Sequence, residues 1–172
     1  GVPTVAAFLQ EKLGQGMTLA FDGRTVSAAF ADALRRDLAA KGAGVRGDLD
    51  LAGAAWPDRP AISKRPAFLL GEEWAGAGRG EKLAAVREKL AAAGADTLLL
   101  TTLADIGWLL NLRGDDVAYT PVVLAYLAVT AGEATLFVND GAIGPEEAAA
   151  LAADGVRLAP YDGIYAYAAA LT

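Results

Sequence analysis

Residues 103–129, which read LADIGWLLNLRGDDVAYTPVVLAYLAV, carry the most informative pattern in the chain. The leucine and isoleucine side chains before Asn111 recur at helical spacing, so they fall on one face of an amphipathic helix. A polar loop follows, in which one cation precedes two carboxylates. From Val122 the chain continues with consecutive apolar residues, a pattern typical of a strand that is covered on both faces. The stretch therefore predicts a charged loop between a buried helix and a buried strand.

The rest of the chain predicts an alternation of helices and strands around this stretch. The connection 131–133 contains Gly132 and is short enough for a hairpin, so the strands that flank it should be antiparallel. The predicted helices cover 4–13, 27–41, 79–93, 103–110, 144–153 and 163–171. The predicted strands cover 17–21, 44–50, 96–101, 122–129, 134–138 and 156–159. Together they indicate an α/β fold with a mixed β-sheet and flanking helices.

A domain boundary is predicted in residues 56–66, which hold Pro57, Pro60 and Pro66. Each proline fixes its own φ and disfavours helix in the preceding residue, so this segment should be an extended linker. We therefore divide the chain into residues 1–66 and residues 67–172. The first part has too few elements to cover a sheet, so we expect an incomplete α/β segment whose strand 17–21 leaves an unpaired edge or an uncovered face.

Composition narrows the possible partners. The net charge is −6 and the sequence pI is about 4.6, so a nucleic-acid-binding surface is not expected. No apolar run approaches the ~18 residues of a membrane span, and no signal peptide is recognisable. Cysteine is absent, which leaves the cytoplasm as the default compartment. The chain begins Gly-Val-Pro, as we expect of a fragment from a longer protein.

No catalytic residue, metal ligand or cofactor site is assigned to this chain. Histidine, the commonest general base and metal ligand, is absent, and no glycine-rich nucleotide-binding motif occurs. The adjacent carboxylates Asp115 and Asp116 should point to opposite sides of an extended backbone.

Two motifs carry a family resemblance. Residues 105–122 read D-I-G-W-L-L-N-L-R-G-D-D-V-A-Y-T-P-V, and residues 56–60 read W-P-D-R-P. This pattern resembles the N-terminal and middle domain region of the Xaa-Pro aminopeptidases (aminopeptidase P), relatives of creatinase and prolidase, whose usual form is D-I-A-W-L-L-N-L-R-G-S-D-V-x-x-N-P-V. The chain departs from that form at Gly107, Asp115 and Thr120.

The resemblance implies a creatinase N-terminal-domain-like fold and an accessory role. Enzymes of this family are metallopeptidases that remove an N-terminal residue preceding proline. They use two divalent metal ions, Mn or Zn, held by two Asp, one His and two Glu in a separate pita-bread catalytic domain. None of these ligand positions can be matched here. The resemblance thus implies a non-catalytic region that narrows substrate access, contacts the C-terminal catalytic domain of the same polypeptide and belongs to a homodimer.

Two alternatives stay open. The chain could be a scaffold or protein-binding module from a catalytically inactive relative. It could also be the N-terminal domain of a creatinase- or prolidase-type amide hydrolase with another substrate. The residues that follow Thr172 in the parent protein would decide between these alternatives and the peptidase.

The candidate site residues are Arg113, Asp115, Asp116 and Tyr119, as substrate-access or interdomain residues. Arg113 has two open roles: it braces the loop through the aspartates or backbone carbonyls, or it borders the substrate opening. Tyr119 is either a structural aromatic at a strand end or a substrate contact.

Overall fold

The computed structural model describes residues 1–171. The chain forms two compact units, Gly1–Pro60 and Ala61–Thr172, whose division falls inside the predicted proline-rich linker. Residues next to this division belong structurally to the second unit, because the side-chain amide of Asn139 donates to the carbonyls of Ile62 and Ser63.

The first unit is small and contains a parallel pair of strands, β1 and β2, with Thr18 opposite Gly44. Ser27 caps the longest helix of this unit, at the predicted start of the helix 27–41, through a hydrogen bond from the Phe30 amide to its hydroxyl. The elements are α1 (Val5–Lys12), β1 (Thr18–Ala20), α2 (Ala28–Ala39), β2 (Gly44–Arg46) and α3 (Leu51–Ala55).

The core of the first unit is sparse. Leu34 and Leu38 on α2 are fully buried, whereas Phe8, Met17 and Phe30 remain exposed. Within the described residues β1 pairs only with β2, so its other edge carries no strand. On α2, Asp32 forms an ion pair with Arg35 on the next turn, at 2.7 Å.

The second unit contains the charged loop and most of the buried core. Its elements are β3 (Phe68–Leu69), α4 (Glu72–Ala75), α5 (Arg79–Ala92), β4 (Thr97–Leu100), α6 (Leu103–Leu110), β5 (Leu112–Arg113), β6 (Ala125–Thr130), β7 (Ala134–Val138), α7 (Pro145–Ala153), β8 (Val156–Pro160) and α8 (Gly163–Ala169).

A four-stranded sheet organises this unit, with strand order β4-β6-β7-β8. The β6–β7 hairpin is antiparallel, as its short connection predicted, and β4 also pairs antiparallel with β6. β8 returns through α7 and lies parallel to β7, as expected of a strand–helix–strand crossover. The prediction of an α/β fold with a mixed sheet is therefore confirmed.

One face of the sheet carries the main core. Leu83 from α5, Leu110 from α6 and Leu151 from α7 pack there against Leu127 and Leu136 of the central strands. A smaller cluster on the other face joins Phe137 to Ile164 and Tyr167 of α8.

Strand β6 begins later than its apolar run suggested. The prediction started it at Val122, but the observed strand starts at Ala125. The Asp116 amide donates to the Val122 carbonyl, and the Leu124 amide donates to Oδ2 of Asp116. These groups are therefore engaged by the loop, and the ladder with β7 forms only after them.

Candidate functional site

The guanidinium of Arg113 closes the C-terminal end of α6. Its Nη1 donates to the Gly107 carbonyl at 2.6 Å and to the Leu112 carbonyl at 2.9 Å. The last carbonyls of a helix lack partners inside the helix, and a cation there also meets the negative end of the helix dipole. Arg113 thus contacts backbone carbonyls and neither neighbouring aspartate.

A short ribbon positions Arg113. It lies on β5, which pairs antiparallel with β3 so that Phe68 is opposite Arg113. Sequence reasoning missed this ribbon, because each strand has only two residues and leaves no periodic pattern. Gly114 follows in a buried position, where a Cβ atom would lie 2.6 Å from Cγ2 of Val123.

The two aspartates of the loop diverge, as predicted. Asp115 is exposed and pairs with Arg65, whose Nη1 lies 2.7 Å from Oδ2. Asp116 turns inward and accepts the Leu124 amide at 2.8 Å. Its other carboxylate oxygen is buried and has no hydrogen-bond partner within residues 1–171. Asp116 therefore shapes the backbone before β6, whereas Asp115 forms a surface ion pair of the kind that contributes little stability.

Tyr119 lies at the tip of a tight turn. The Thr120 amide donates to the Val117 carbonyl at 3.1 Å, and the φ angle of Tyr119 is +63°. Its side chain is fully exposed, at 106% of the reference accessibility. A left-handed conformation is unfavourable for a residue with a Cβ atom, so the turn holds an exposed aromatic ring at an energetic cost.

Lys82 is the site residue that sequence reasoning missed. It lies on α5 and is 5% exposed. Its Nζ donates to Oδ1 of Asn111 at 2.6 Å and to the Trp108 carbonyl at 3.0 Å, and it lies 4.7 Å from the centroid of the Trp108 ring. The signal was present in the sequence: position 82 precedes Val86 and Leu90 by four and eight residues, on the inward stripe of the helix.

Asn111 completes the buried network. It ends α6 in a left-handed conformation, with φ of +51°, and its amide bonds back to carbonyls of the last turn. Its side-chain nitrogen donates to the Ala77 carbonyl at 3.0 Å. The oxygen and the nitrogen of the side-chain amide therefore both have hydrogen-bond partners. Through these bonds, Asn111 connects the end of α6 to α5 and to the segment before α5.

Two cations thus converge on the end of α6. Burial lowers the pKa of Lys82, and the positive charge of Arg113 lowers that pKa further, while Glu81 opposes the shift. Neither cation forms an ion pair with a carboxylate in the part of the chain that the structure describes. Backbone carbonyls, the Asn111 side chain and the Trp108 ring are their partners.

The structure brings Lys82, which was not predicted, to the same end of α6 as Arg113. Of the other predicted residues, Asp115 and Asp116 have partners of their own, and Tyr119 is exposed. Among the described residues, no three His, Cys, Asp or Glu side chains are close enough to hold a metal ion together. No helix within residues 1–171 is long and apolar enough to cross a membrane.

Comparisons with known proteins match this region. Residues 58–172 match the creatinase/prolidase N-terminal domain family. The probable Xaa-Pro aminopeptidase P of Neurospora crassa is 34% identical over 167 residues, which are 95% of this chain and 24% of that protein. That of Sordaria macrospora is also 34% identical, over 95% of this chain and 27% of its own length.

A solved structure is similar as well. The X-prolyl aminopeptidase from Caenorhabditis elegans, described as a cytosolic enzyme with a di-nuclear active site, is 29% identical and superimposes with a TM-score of 0.84. The match covers 97% of this chain and 28% of that protein. This chain therefore spans about a quarter of the length of the relatives it matches. The expected resemblance is confirmed: the chain belongs to the creatinase/prolidase N-terminal domain family.

Proposed function

We propose that these 172 residues are the non-catalytic accessory region of a metal-dependent Xaa-Pro aminopeptidase, which removes an N-terminal residue that precedes proline. The observation that carries the proposal is the family match over residues 58–172, together with relatives named Xaa-Pro aminopeptidase of which this chain spans about a quarter. In this proposal the remaining three quarters of the parent polypeptide hold the catalytic domain.

The metal ions of the parent belong to that remaining part. The C. elegans relative has a di-nuclear active site, and two divalent ions that share a hydroxide supply a nucleophile near neutral pH. The present sequence has no histidine or cysteine to contribute as a ligand. We therefore place two ions, Mn or Zn, outside residues 1–172. We also propose that the parent is a homodimer and that it is cytoplasmic, as the description of the C. elegans relative as cytosolic supports.

The loop 111–121 faces the catalytic domain in this proposal and narrows the path of the substrate. Arg113 and Tyr119 support this position for different reasons. Arg113 is held by α6 in a fixed orientation, and Tyr119 projects its whole ring into solvent from a strained turn. Residues at ligand clamps are often strained in this way.

The first test compares the complete parent polypeptide with residues 1–172 alone. With Mn²⁺ or Zn²⁺ present, the parent should cleave an Xaa-Pro-Xaa tripeptide, and the 172-residue chain should neither cleave it nor bind Mn²⁺ with micromolar affinity in calorimetry. A parent that lacks this activity would refute the peptidase assignment. Turnover by the short chain would refute its accessory role.

The second test addresses substrate access. Tyr119→Ala should raise KM of the parent for peptides several-fold, and it should leave the melting temperature of the 172-residue chain unchanged, because there the side chain has no packing to lose. Trp74→Ala is the matched control, since Trp74 is an exposed aromatic residue outside the loop. Equal kinetics for wild type and Tyr119→Ala would remove Tyr119 from the substrate path.

A further inference from the structure

We propose that Arg113 forms an ion pair with a carboxylate side chain from the remainder of the parent polypeptide. The exposed side chains of Phe68 and Trp108 flank this contact. This inference rests on the proposed function, because it assigns a binding partner to the interdomain loop. It also explains how one arginine can both brace the loop and serve as a contact residue.

Only half of the guanidinium is used inside this chain. Nη1 donates to the Gly107 carbonyl of α6 and to the Leu112 carbonyl of β5, whereas Nε and Nη2 have no acceptor among the described residues. Arg113 is half-buried, and neither nitrogen is among the fully buried unpaired atoms, so both keep some accessible surface. The free edge formed by Nε and Nη2 presents parallel N–H groups that match the two oxygens of a carboxylate.

The direction of this free edge is fixed before a partner arrives. Exposed arginines such as Arg36 must lose several rotamers to form an ion pair, which cancels much of the gain. The two bonds of Nη1 have already fixed the Arg113 side chain, so less conformational entropy is lost on docking.

The positive charges of Arg113 and Lys82 favour an anionic binding partner. The chain as a whole is acidic, with 21 carboxylate residues against 15 basic ones, yet Arg113 and Lys82 have no carboxylate in ion-pair contact within the described residues. The two carboxylates nearest to Arg113 in sequence have other partners: Asp115 pairs with Arg65, and Oδ2 of Asp116 accepts the Leu124 amide. A carboxylate from outside this chain is the complementary group.

Apolar surface borders the free edge. Phe68 lies directly opposite Arg113 in the β3–β5 ribbon, so their side chains share a face of that ribbon, and Phe68 is 51% exposed. Trp108 follows Gly107, whose carbonyl Arg113 binds, and is 55% exposed. Coverage of these two rings by a partner would exclude water and strengthen the ion pair.

The experiment uses the complete parent polypeptide with the substitution Arg113→Lys and a zero-length carbodiimide, which joins an amine to a carboxylate in direct contact. Peptide mass spectrometry should find a cross-link from position 113 to an Asp or Glu outside residues 1–172. Arg157→Lys is the positive control, because Arg157 lies 2.7 Å from Glu133 and should link to it. Cross-links from position 113 only to residues within 1–172 would overturn the proposal. A mixture of isotope-labelled and unlabelled parent shows whether a cross-link joins two copies, and such a link would also overturn it.

If Arg113→Lys gives no cross-link or does not fold, the chemical reactivity of Arg113 in wild-type protein tests the same proposal. Phenylglyoxal modifies arginine side chains that reach solvent. In wild-type protein, Arg113 should react at least several-fold more slowly in the complete parent than in the 172-residue chain, whereas exposed Arg157, which lies in the same unit as Arg113, should react equally in both. Equal reactivity of Arg113 in both proteins would overturn the proposal.

The two proposals can fail separately. A parent that does not cleave Xaa-Pro peptides, but still links position 113 to a carboxylate beyond residue 172, keeps the docking contact and loses the peptidase assignment. An active parent without the link and without protection of Arg113 keeps the peptidase assignment and loses the docking contact.

Discussion

The ammonium group of Lys82 lies 2.6 Å from Oδ1 of Asn111, in a buried contact to which no carboxylate of the described residues contributes. This bond joins α5 to the loop that carries Arg113. The ring of Trp108 covers the same ammonium group on another side. The position of the candidate site therefore depends on a residue far from it in sequence.

Lys82→Met should destabilise the protein by about 1–3 kcal/mol, because it leaves the buried Oδ1 of Asn111 and the Trp108 carbonyl without their donor. Urea unfolding monitored by circular dichroism measures this. Lys89→Met is the matched control on an exposed position of the same helix and should change the free energy of unfolding by less than about 0.5 kcal/mol. Equal effects of the two substitutions would show that the buried bonds are not important for stability.

The stability of the protein should also depend on pH through Lys82. Burial, and then the charge of Arg113, lowers its pKa in the folded state below the ordinary value of 10.5, so the unfolded chain binds this proton more tightly. The unfolded state therefore holds more protons between the folded pKa and 10.5, and stability rises with pH in that interval. Wild type should gain free energy of unfolding relative to Lys82→Met as the pH rises towards 10.5. A difference that stays constant, or that shifts in favour of the variant, would contradict this.

Tyr119→Gly should leave the stability unchanged or raise it by up to about 1 kcal/mol, because glycine relieves the left-handed backbone strain and the exposed ring loses no packing. Ala118→Gly is the control in the same turn. Its φ angle is not positive, so glycine only adds freedom to the unfolded chain and should cost about 0.4–1 kcal/mol. Thermal melts of both variants distinguish these outcomes, and a large loss of stability in Tyr119→Gly would mean that its ring is packed.

Gly114→Ala should destabilise the protein by about 1–3 kcal/mol, because the new methyl group would lie 2.6 Å from Cγ2 of buried Val123 and 3.2 Å from the Val122 carbonyl. Gly132→Ala in the β6–β7 connection has no atom within 4 Å and should change stability by less than about 0.5 kcal/mol. If Gly114→Ala melts like wild type, the loop before β6 can move aside freely.

The 172-residue chain should self-associate as its concentration rises. The free edge of β1 and the exposed Phe8, Met17 and Phe30 of the first unit present unpaired backbone groups and apolar surface. Thr18→Lys places a charge on the exposed edge strand and should weaken the association. Sedimentation velocity over a concentration series measures both proteins, and a monomer at every concentration would contradict the expectation.

Local patterns in the sequence predicted the longer helices and strands and the family, but not the short elements α3, β3, α4 and β5. The capping by Ser27, the glycine-containing connection of the β6–β7 hairpin and the proline that begins α7 all act within a few residues. The motif around Arg113 indicated the family because its residues are contiguous. The structure and the comparisons confirm the mixed α/β fold and the family resemblance.

Only the tertiary structure decided which groups meet at the site. Lys82 reaches Asn111 across 29 positions, and the β3–β5 ribbon joins residues more than 40 apart, so neither contact leaves a local period in the sequence. The same holds for Arg113: its charge was visible in the sequence, but the choice of backbone carbonyls over Asp115 and Asp116 depends on where α6 ends and where Arg65 lies. Burial sets the energy of these polar contacts, and burial is a property of the packed chain.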